Sequence, residues 1–339
     1  MDKKTLYVIF VGFAIVMLAG QILSYATEPY RHETSSWENG DGTVGYSISS
    51  NTSSEYGVVM IDVGSVLVPD KLLIYYDETY KARLSHDYLR ILKDIVCSEL
   101  EIHGVDYEMV NAEELLERIQ GDISISKQSF RLFFTTGAIP NILYDCTKDS
   151  PLMKWLEQGG VVYWVNGVIG RNISSVSGLT ECEGYGQLLF GIPDSNISMG
   201  TEGDIYAGEK SLHFDRLRDL DIIYNDCTYG INTESITDEY LSIGYTAEGL
   251  DSLVLSKYHN GEGMIVNFGG KVATNSAPTI AKVIASKITH DSNIVYSEGG
   301  RLRFSEVRGD ITVDTTKDYV LYIWIGYPVQ IFSRTFTYY

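Results

Sequence analysis

The chain has 339 residues, room for one large domain or two modest ones, and a formal net charge of −19. That charge, with a pI near 4.6, argues against nucleic acid or an anionic membrane surface as partner. The 25 tyrosines and 32 glycines beside only 7 prolines suit a sheet-rich protein with large half-buried aromatic surfaces.

Residues 6–23 (LYVIFVGFAIVMLAGQIL) form an apolar run long enough to cross a bilayer as a helix. Lys3 and Lys4 precede it and Glu28 and Glu33 follow, which predicts a cytoplasmic N-terminus and an extracytoplasmic bulk. Two fates stand: a retained transmembrane signal-anchor over 1–26, or a signal peptide cut at Ser24-Tyr25-Ala26. The run is long for a signal-peptide core and holds Tyr7, Phe10 and Phe13, which favours the anchor and a single-pass cell-membrane location. Gln21 stands where lipid attachment would need a cysteine.

Residues 27–56, rich in Ser, Thr, Gly and Glu, are expected to form a polar stalk, with weak alternation at 43–49 (TVGYSIS) and a stronger strand at 57–68. A strand–helix pattern then begins. KLLIYY at 71–76 predicts a buried parallel strand, and Leu89, Leu92, Val96 and Leu100 mark a helical face after an N-cap at Ser85, ending by Gly104. A strand at 105–110, a helix at 113–119, a strand at 130–135, a helix ending at Gly159-Gly160 and a strand at 161–165 follow. Residues 171–250 lose the alternation and predict an insertion of loops and short strands, with a helix near 214–220. SLVLSKY (252–258) and MIVNF (264–268) predict a hairpin, and residues 277–288 a closing helix with proline in its first turn. The tail 291–339 predicts a small β domain, completed by strands from 43–68 and ending in a hairpin around Gly326-Tyr327-Pro328.

Asn-x-Ser/Thr triplets at Asn51, Asn172 and Asn196 fit glycosylated loops of an exported chain. Cys97, Cys146, Cys182 and Cys227 lack metal-site spacing, which argues against zinc; in an oxidising compartment they permit two disulfides, with free buried thiols the alternative. Glu38-Asn39-Gly40-Asp41-Gly42 lacks the ligand spacing of a calcium loop and predicts a turn. His32, His86, His103, His213, His259 and His290 are scattered, with surface or helix-face placement expected.

The pieces KLLIYYD (71–77), RLFFTTG (131–137), WLEQGGVVYWVNG (155–167) and GEGMIVNFGG (261–270) together resemble the class I glutamine amidotransferase-like domain. The likeness spans about residues 70–290 and is to degenerate extracytoplasmic members, such as the soluble domain of a non-catalytic oligosaccharyltransferase subunit. It implies an α/β fold over 57–290, a flavodoxin-like parallel sheet flanked by helices. Catalytic members carry a cysteine on the turn after the strand that follows the Gly-Gly pair. Here that turn reads Val165-Asn166-Gly167-Val168, and no downstream His-x-Glu pair is present. A thiol mechanism needs a thiolate beside a base, so no catalytic residue is assigned.

In such a sheet, ligands bind beyond the strand ends where strand order reverses. Asp77, Glu78 and Thr79 would face Thr135 and Thr136 there, with Asn166 nearby: a carboxylate-and-amide set suited to a sugar or a cation, unless Asp77 and Glu78 merely cap a helix. The segment DETYKARLS has no glycine to cradle phosphate, which would also face two carboxylates, so no nucleotide is expected; no cofactor or metal is assigned. The sequence therefore predicts a non-catalytic binding or accessory protein of a cell-envelope assembly, with an envelope protein or glycan as partner. Two alternatives remain: a hydrolase of envelope glycans pairing Asp77 or Glu78 with a carboxylate such as Asp215, and a structural surface protein associating through its tyrosine-rich tail.

Overall fold

The computed structural model describes residues 31–62, 64, 68–182, 197–199, 204–205, 222–223, 229–231, 236, 238–245, 251–259, 261–268, 277–325 and 330–336. The residue 6–23 run, the helix expected near 214–220, Asn196, Asp215 and Cys227 lie outside them. Among the described residues no helix is long and apolar enough to cross a membrane. The chain divides into a smaller unit (Met1–Tyr56, Gly299–Asp314, Ile323–Phe332) and a larger one (Gly57–Glu298, Thr315–Tyr322, Ser333–Tyr339).

In chain order the first elements are β1 (His32–Asn39), β2 (Thr43–Ser50), β3 (Ser53–Asp62), β4 (Leu72–Tyr75), α1 (His86–Ile102), β5 (Tyr107–Val110) and α2 (Ala112–Ile125). Then come β6 (Arg131–Phe134), β7 (Ile139–Pro140), α3 (Pro151–Glu157), β8 (Val161–Trp164), β9 (Asn172–Ser174) and β10 (Leu179–Glu181). Short strands follow: β11 (Ile197–Met199), β12 (Asp204–Ile205), β13 (Ile222–Ile223), β14 (Tyr229–Ile231), β15 (Tyr240–Tyr245) and β16 (Asp251–Lys257). The chain closes with β17 (Met264–Asn267), α4 (Ala277–Ser286), β18 (Asn293–Arg303), β19 (Glu306–Thr312), β20 (Tyr319–Ile325) and β21 (Gln330–Phe336).

The larger unit is mixed α/β. Its main sheet has nine strands in the order β11-β14-β16-β17-β8-β6-β4-β5, with β15 also on β16. Strands β5, β4, β6, β8 and β17 run parallel, while β16 pairs antiparallel with β17. Numbered along the chain, the parallel strands stand in the order 2-1-3-4-5. The cause is visible in the strand sequences. LLIY, RLFF, VVYW and MIVN are buried at every position, as strands covered on both faces must be.

Alternation divides the core in two. Leu73, Leu132, Phe134, Val162 and Trp164 share one cluster with Leu115 and Ile119 of α2 and Trp155 and Leu156 of α3. Residues on the alternate positions, such as Arg131, face α4: the buried Arg131 guanidinium donates to the Ile284 carbonyl and, at 3.2 Å, to that of Asp70. Helix α1 packs with α4, burying Leu89, Leu92, Val96 and Leu100 at helical spacing. The Ser85 hydroxyl caps α1 by accepting from the Tyr88 amide at 3.4 Å, as its residue type predicts.

Several expectations are corrected. Residues 32–39, read as stalk, form β1, which makes a hairpin with β2 at the weakly alternating stretch expected from 43, and β19 of the tail pairs on the other side of β2. Its turn is tied by Asp41, whose carboxylate accepts from the amide (3.2 Å) and hydroxyl (2.7 Å) of Thr43. Strand β3 ends at Asp62 rather than Val68. Helix α2 is longer than the apolar spacing suggests: Asn111 and Glu114 form a reciprocal capping box close to the expected start, and the helix runs on past Ile119 to Ile125. The tail strands β20 and β21 are neighbours in a four-stranded sheet of order β18-β3-β20-β21, to which 43–68 contributes β3 as expected.

Candidate functional site

The C-terminal ends of β4, β6 and β8 bring Asp77, Thr135, Thr136 and Asn166 to the expected edge of the sheet, where their polar atoms turn inward. Asp77 is buried; one carboxylate oxygen accepts from the Thr79 amide at 2.7 Å and the other from the Ala112 amide at 3.1 Å. Ala112 is the first residue of α2, so Asp77 satisfies an orphan donor and places negative charge at the positive end of that helix. This is the capping role, reached across 35 residues rather than locally.

Thr135 and Thr136 donate their hydroxyls to the carbonyls of Tyr75 and Ala138, both at 2.8 Å. Asn166, fully buried, donates its amide to the Thr135 carbonyl at 2.5 Å and sits at φ 70°, unusual for a residue with a side chain. Arg83 closes over the same edge: its amide donates to the Thr136 carbonyl at 3.2 Å and its guanidinium to the Asn166 carbonyl at 3.4 Å. Gly137, at φ 67°, lies so close that a Cβ there would stand 2.1 Å from the Asn166 carbonyl oxygen. The strand-order switch point is thus an interlocked structural edge. Glu78 and Thr79 remain exposed beside it, Glu78 accepting from the Tyr76 hydroxyl at 2.9 Å. Burial, then that hydrogen bond and charge, push the Tyr76 phenol up to about 12.

No thiol site forms among the described residues. Cys146 and Cys182 are joined as a disulfide with their Cα atoms 5.9 Å apart, while Cys97 is a free, partly buried thiol on α1. Burial pushes the Cys97 thiol up, which suppresses the thiolate a nucleophile requires. Nor does any group of three or more His, Cys, Asp or Glu among the described residues have the arrangement to hold a metal ion. Of the glycosylation triplets, Asn51 and Asn172 are partly exposed, and Asn51 accepts from the Arg31 amide at 2.9 Å.

Two features were missed by sequence reasoning. The first is a groove of about 470 Å³ on the outer face of the β1-β2-β19 sheet, lined by Trp37, Glu33, Ser47 and Glu306 among others. Its residues fall in the segment assigned to the stalk and in the distant β19, so no local pattern announces it.

The second is His290, expected at the surface or on a helix face but only 5% exposed and in the turn that follows α4. Among the described residues neither ring nitrogen has a hydrogen-bond partner, and a carboxylate oxygen of Glu239 lies 3.6 Å from Nδ1. Burial lowers the imidazole pKa below 6.5; Lys257 adds to this, and Asp291, Glu239 and Glu262 offset it only in part. The unfolded chain then binds the proton more readily, so this contribution to stability is complete above pH 6.5 and lost as pH falls toward the folded-state pKa. Urea titrations of wild type and His290→Gln between pH 7.5 and pH 5 test this. The wild-type unfolding free energy is expected to fall by up to about 1.4 kcal/mol per pH unit more than the variant's. Parallel curves would exclude His290 as the source.

No family model matches the chain, and no curated protein does.

Proposed function

We infer that the chain is a non-catalytic binding or accessory protein, held on the outer side of a membrane by residues 1–26 and working in a cell-envelope assembly. On this reading the larger unit is a degenerate class I glutamine amidotransferase-like domain, and its partner is an envelope protein or glycan. The observation that carries the reading is Asn166. At the turn after β8, where catalytic members hold their cysteine, a buried amide at φ 70° bonds to backbone instead. A left-handed residue at a strand end fits an elbow that presents a nucleophile, but a carboxamide is not a nucleophile.

The 2-1-3-4-5 strand order and the antiparallel β16–β17 pair support the domain assignment. The Cys146–Cys182 disulfide supports an oxidising compartment, and with it export of the chain beyond the apolar run. Glycosylation at Asn51, Asn172 and Asn196 belongs to the same reading.

Affinity capture of the full chain from its native membranes, followed by mass spectrometry without reduction, tests this. The expected result is stoichiometric membrane partners, peptides from residues 1–26 and a linked Cys146–Cys182 peptide pair. Recovery of the protein alone, lacking its first residues and with both cysteines free, would overturn it.

A further inference from the structure

The groove on the β1-β2-β19 sheet has a construction that points to one ligand class. Strand register places Glu33, Ser49 and Glu306 in one row, Ser35, Ser47 and Arg308 in the next, and Trp37, Gly45 and Asp310 in a third. Side chains alternate across a strand, so these rows share a face, while Val44, Tyr46, Ile48 and Ile311 are buried on the other. Within each row the central residue is small and its neighbours on β1 and β19 are mostly long. A trough between two walls follows from that difference in size.

The trough holds about 470 Å³ beside Trp37, and a second hollow of about 420 Å³ shares Glu33, Ser49 and Glu306 and reaches Phe304. From Gly45 to Asn51 along β2 the distance is about 20 Å at about 3.3 Å per residue. Aromatic side chains stand toward both ends. The Trp37 indole lies on Gly45, where a Cβ would come within 2.2 Å of the ring, and keeps 37% of its surface exposed. Phe304 is 74% exposed and held at φ 53°, a conformation rarely adopted by a bulky residue.

The polar groups of the walls are paired with one another. Glu306 accepts from the Ser47 hydroxyl at 2.5 Å and from the Arg308 guanidinium at 2.7 Å, and the latter bond first, then the former, holds its carboxyl below the usual range. Glu33 pairs with Arg31 at 2.5 Å. Glu33 and Glu306 therefore each stand beside a guanidinium, while Asp310 accepts from the Asn39 amide at 3.1 Å, which leaves many acceptors and donors with much of the charge offset. That is the complement of a neutral polyol. A pyranose ring adds a face of C–H groups that packs on an indole while its hydroxyls reach both walls.

A peptide is a poorer fit. The backbone of β2 is bonded to β1 on one side and β19 on the other, so the floor has no amides to offer an added strand. A polyanion would meet Glu33 and Glu306 on a chain of net charge −19.

We propose that this trough binds a neutral oligosaccharide, with a sugar ring stacked on Trp37 and hydroxyls bonded to Glu33, Ser35, Ser47 and the Glu306–Arg308 pair. Phe304 supplies a second stacking surface toward the far end. The inference stands on the trough alone and does not depend on a membrane-held accessory role.

Calorimetric titration of the full chain in detergent with chitohexaose, mannohexaose and maltohexaose tests it, with a hyaluronan hexasaccharide and an extended Ser/Thr-rich peptide as competing classes. The expected result is saturable binding of at least one neutral hexasaccharide, weakened about tenfold or more by Trp37→Ala. Ser47→Trp fills the trough while leaving Trp37 on Gly45, and is expected to weaken binding similarly with an unchanged melting temperature. Absence of binding by every neutral hexasaccharide overturns the proposal. So does wild-type affinity in Ser47→Trp, or saturable binding of the peptide or hyaluronan in preference to the neutral sugars.

Discussion

Replacing Trp155 by alanine is expected to lower the unfolding free energy by about 3–5 kcal/mol, read from urea denaturation. The indole is fully buried, stacks on Phe130 at 5.1 Å and 16°, and covers Gly160, where a Cβ would come within 2.2 Å of the ring. Its N–H donates to Asp122 at 3.1 Å, and Asp122 also accepts from the amide (3.0 Å) and hydroxyl (2.6 Å) of Ser129. One side chain thereby joins α2, α3 and the approach to β6. Trp155→Phe keeps much of the apolar contact and loses the hydrogen bond, so its effect should be the smaller of the two. Equal losses in the two variants would mean that the Asp122 bond, rather than packing, dominates.

Gly137→Ala is expected to lower stability by about 2–5 kcal/mol, combining the left-handed backbone penalty with overpacking. Its φ of 67° and the 2.1 Å approach to the Asn166 carbonyl oxygen leave no room for a methyl group without moving the turn after β8. The same displacement would disturb the Asn166–Thr135 and Arg83–Thr136 bonds, so amide exchange at Arg83 should quicken together with the loss of stability. Unchanged exchange at Arg83 in a destabilised variant would separate the edge from the core and contradict the interlock described here.

The parallel core is legible in sequence because its information is local. Runs such as LLIY and VVYW are apolar at every position, and the Leu89–Leu92–Val96–Leu100 spacing repeats with the helical turn. The candidate site is less legible. Asp77, Thr135, Thr136 and Asn166 are chemically suited to a ligand, and only the backbone path reveals that carbonyls and a helix N-terminus occupy their hydrogen-bonding atoms. Strand β1, HETSSWEN, escapes notice for a different reason. Its half-buried positions hold His32, Thr34 and Ser36, so no apolar alternation marks it, and its strand state depends on the register supplied by β2. Cys146 and Cys182 meet across 36 residues of sequence, a closure that spacing alone does not select from the connectivities four cysteines permit.

The pairing of β2 with β19 bears on the order in which the chain can acquire its structure. Ser47 and Glu306, bonded in the folded protein, are separated by 259 residues. During synthesis the β1–β2 hairpin therefore emerges long before the strand that completes its sheet. Contacts of such range form late, because the intervening chain must be brought together first. Until then Val44, Tyr46 and Ile48 form an apolar row beside an unpaired strand edge, a surface that invites non-native pairing. The smaller unit is therefore expected to be the last to mature, and the stage of biogenesis at which the chain most needs protection.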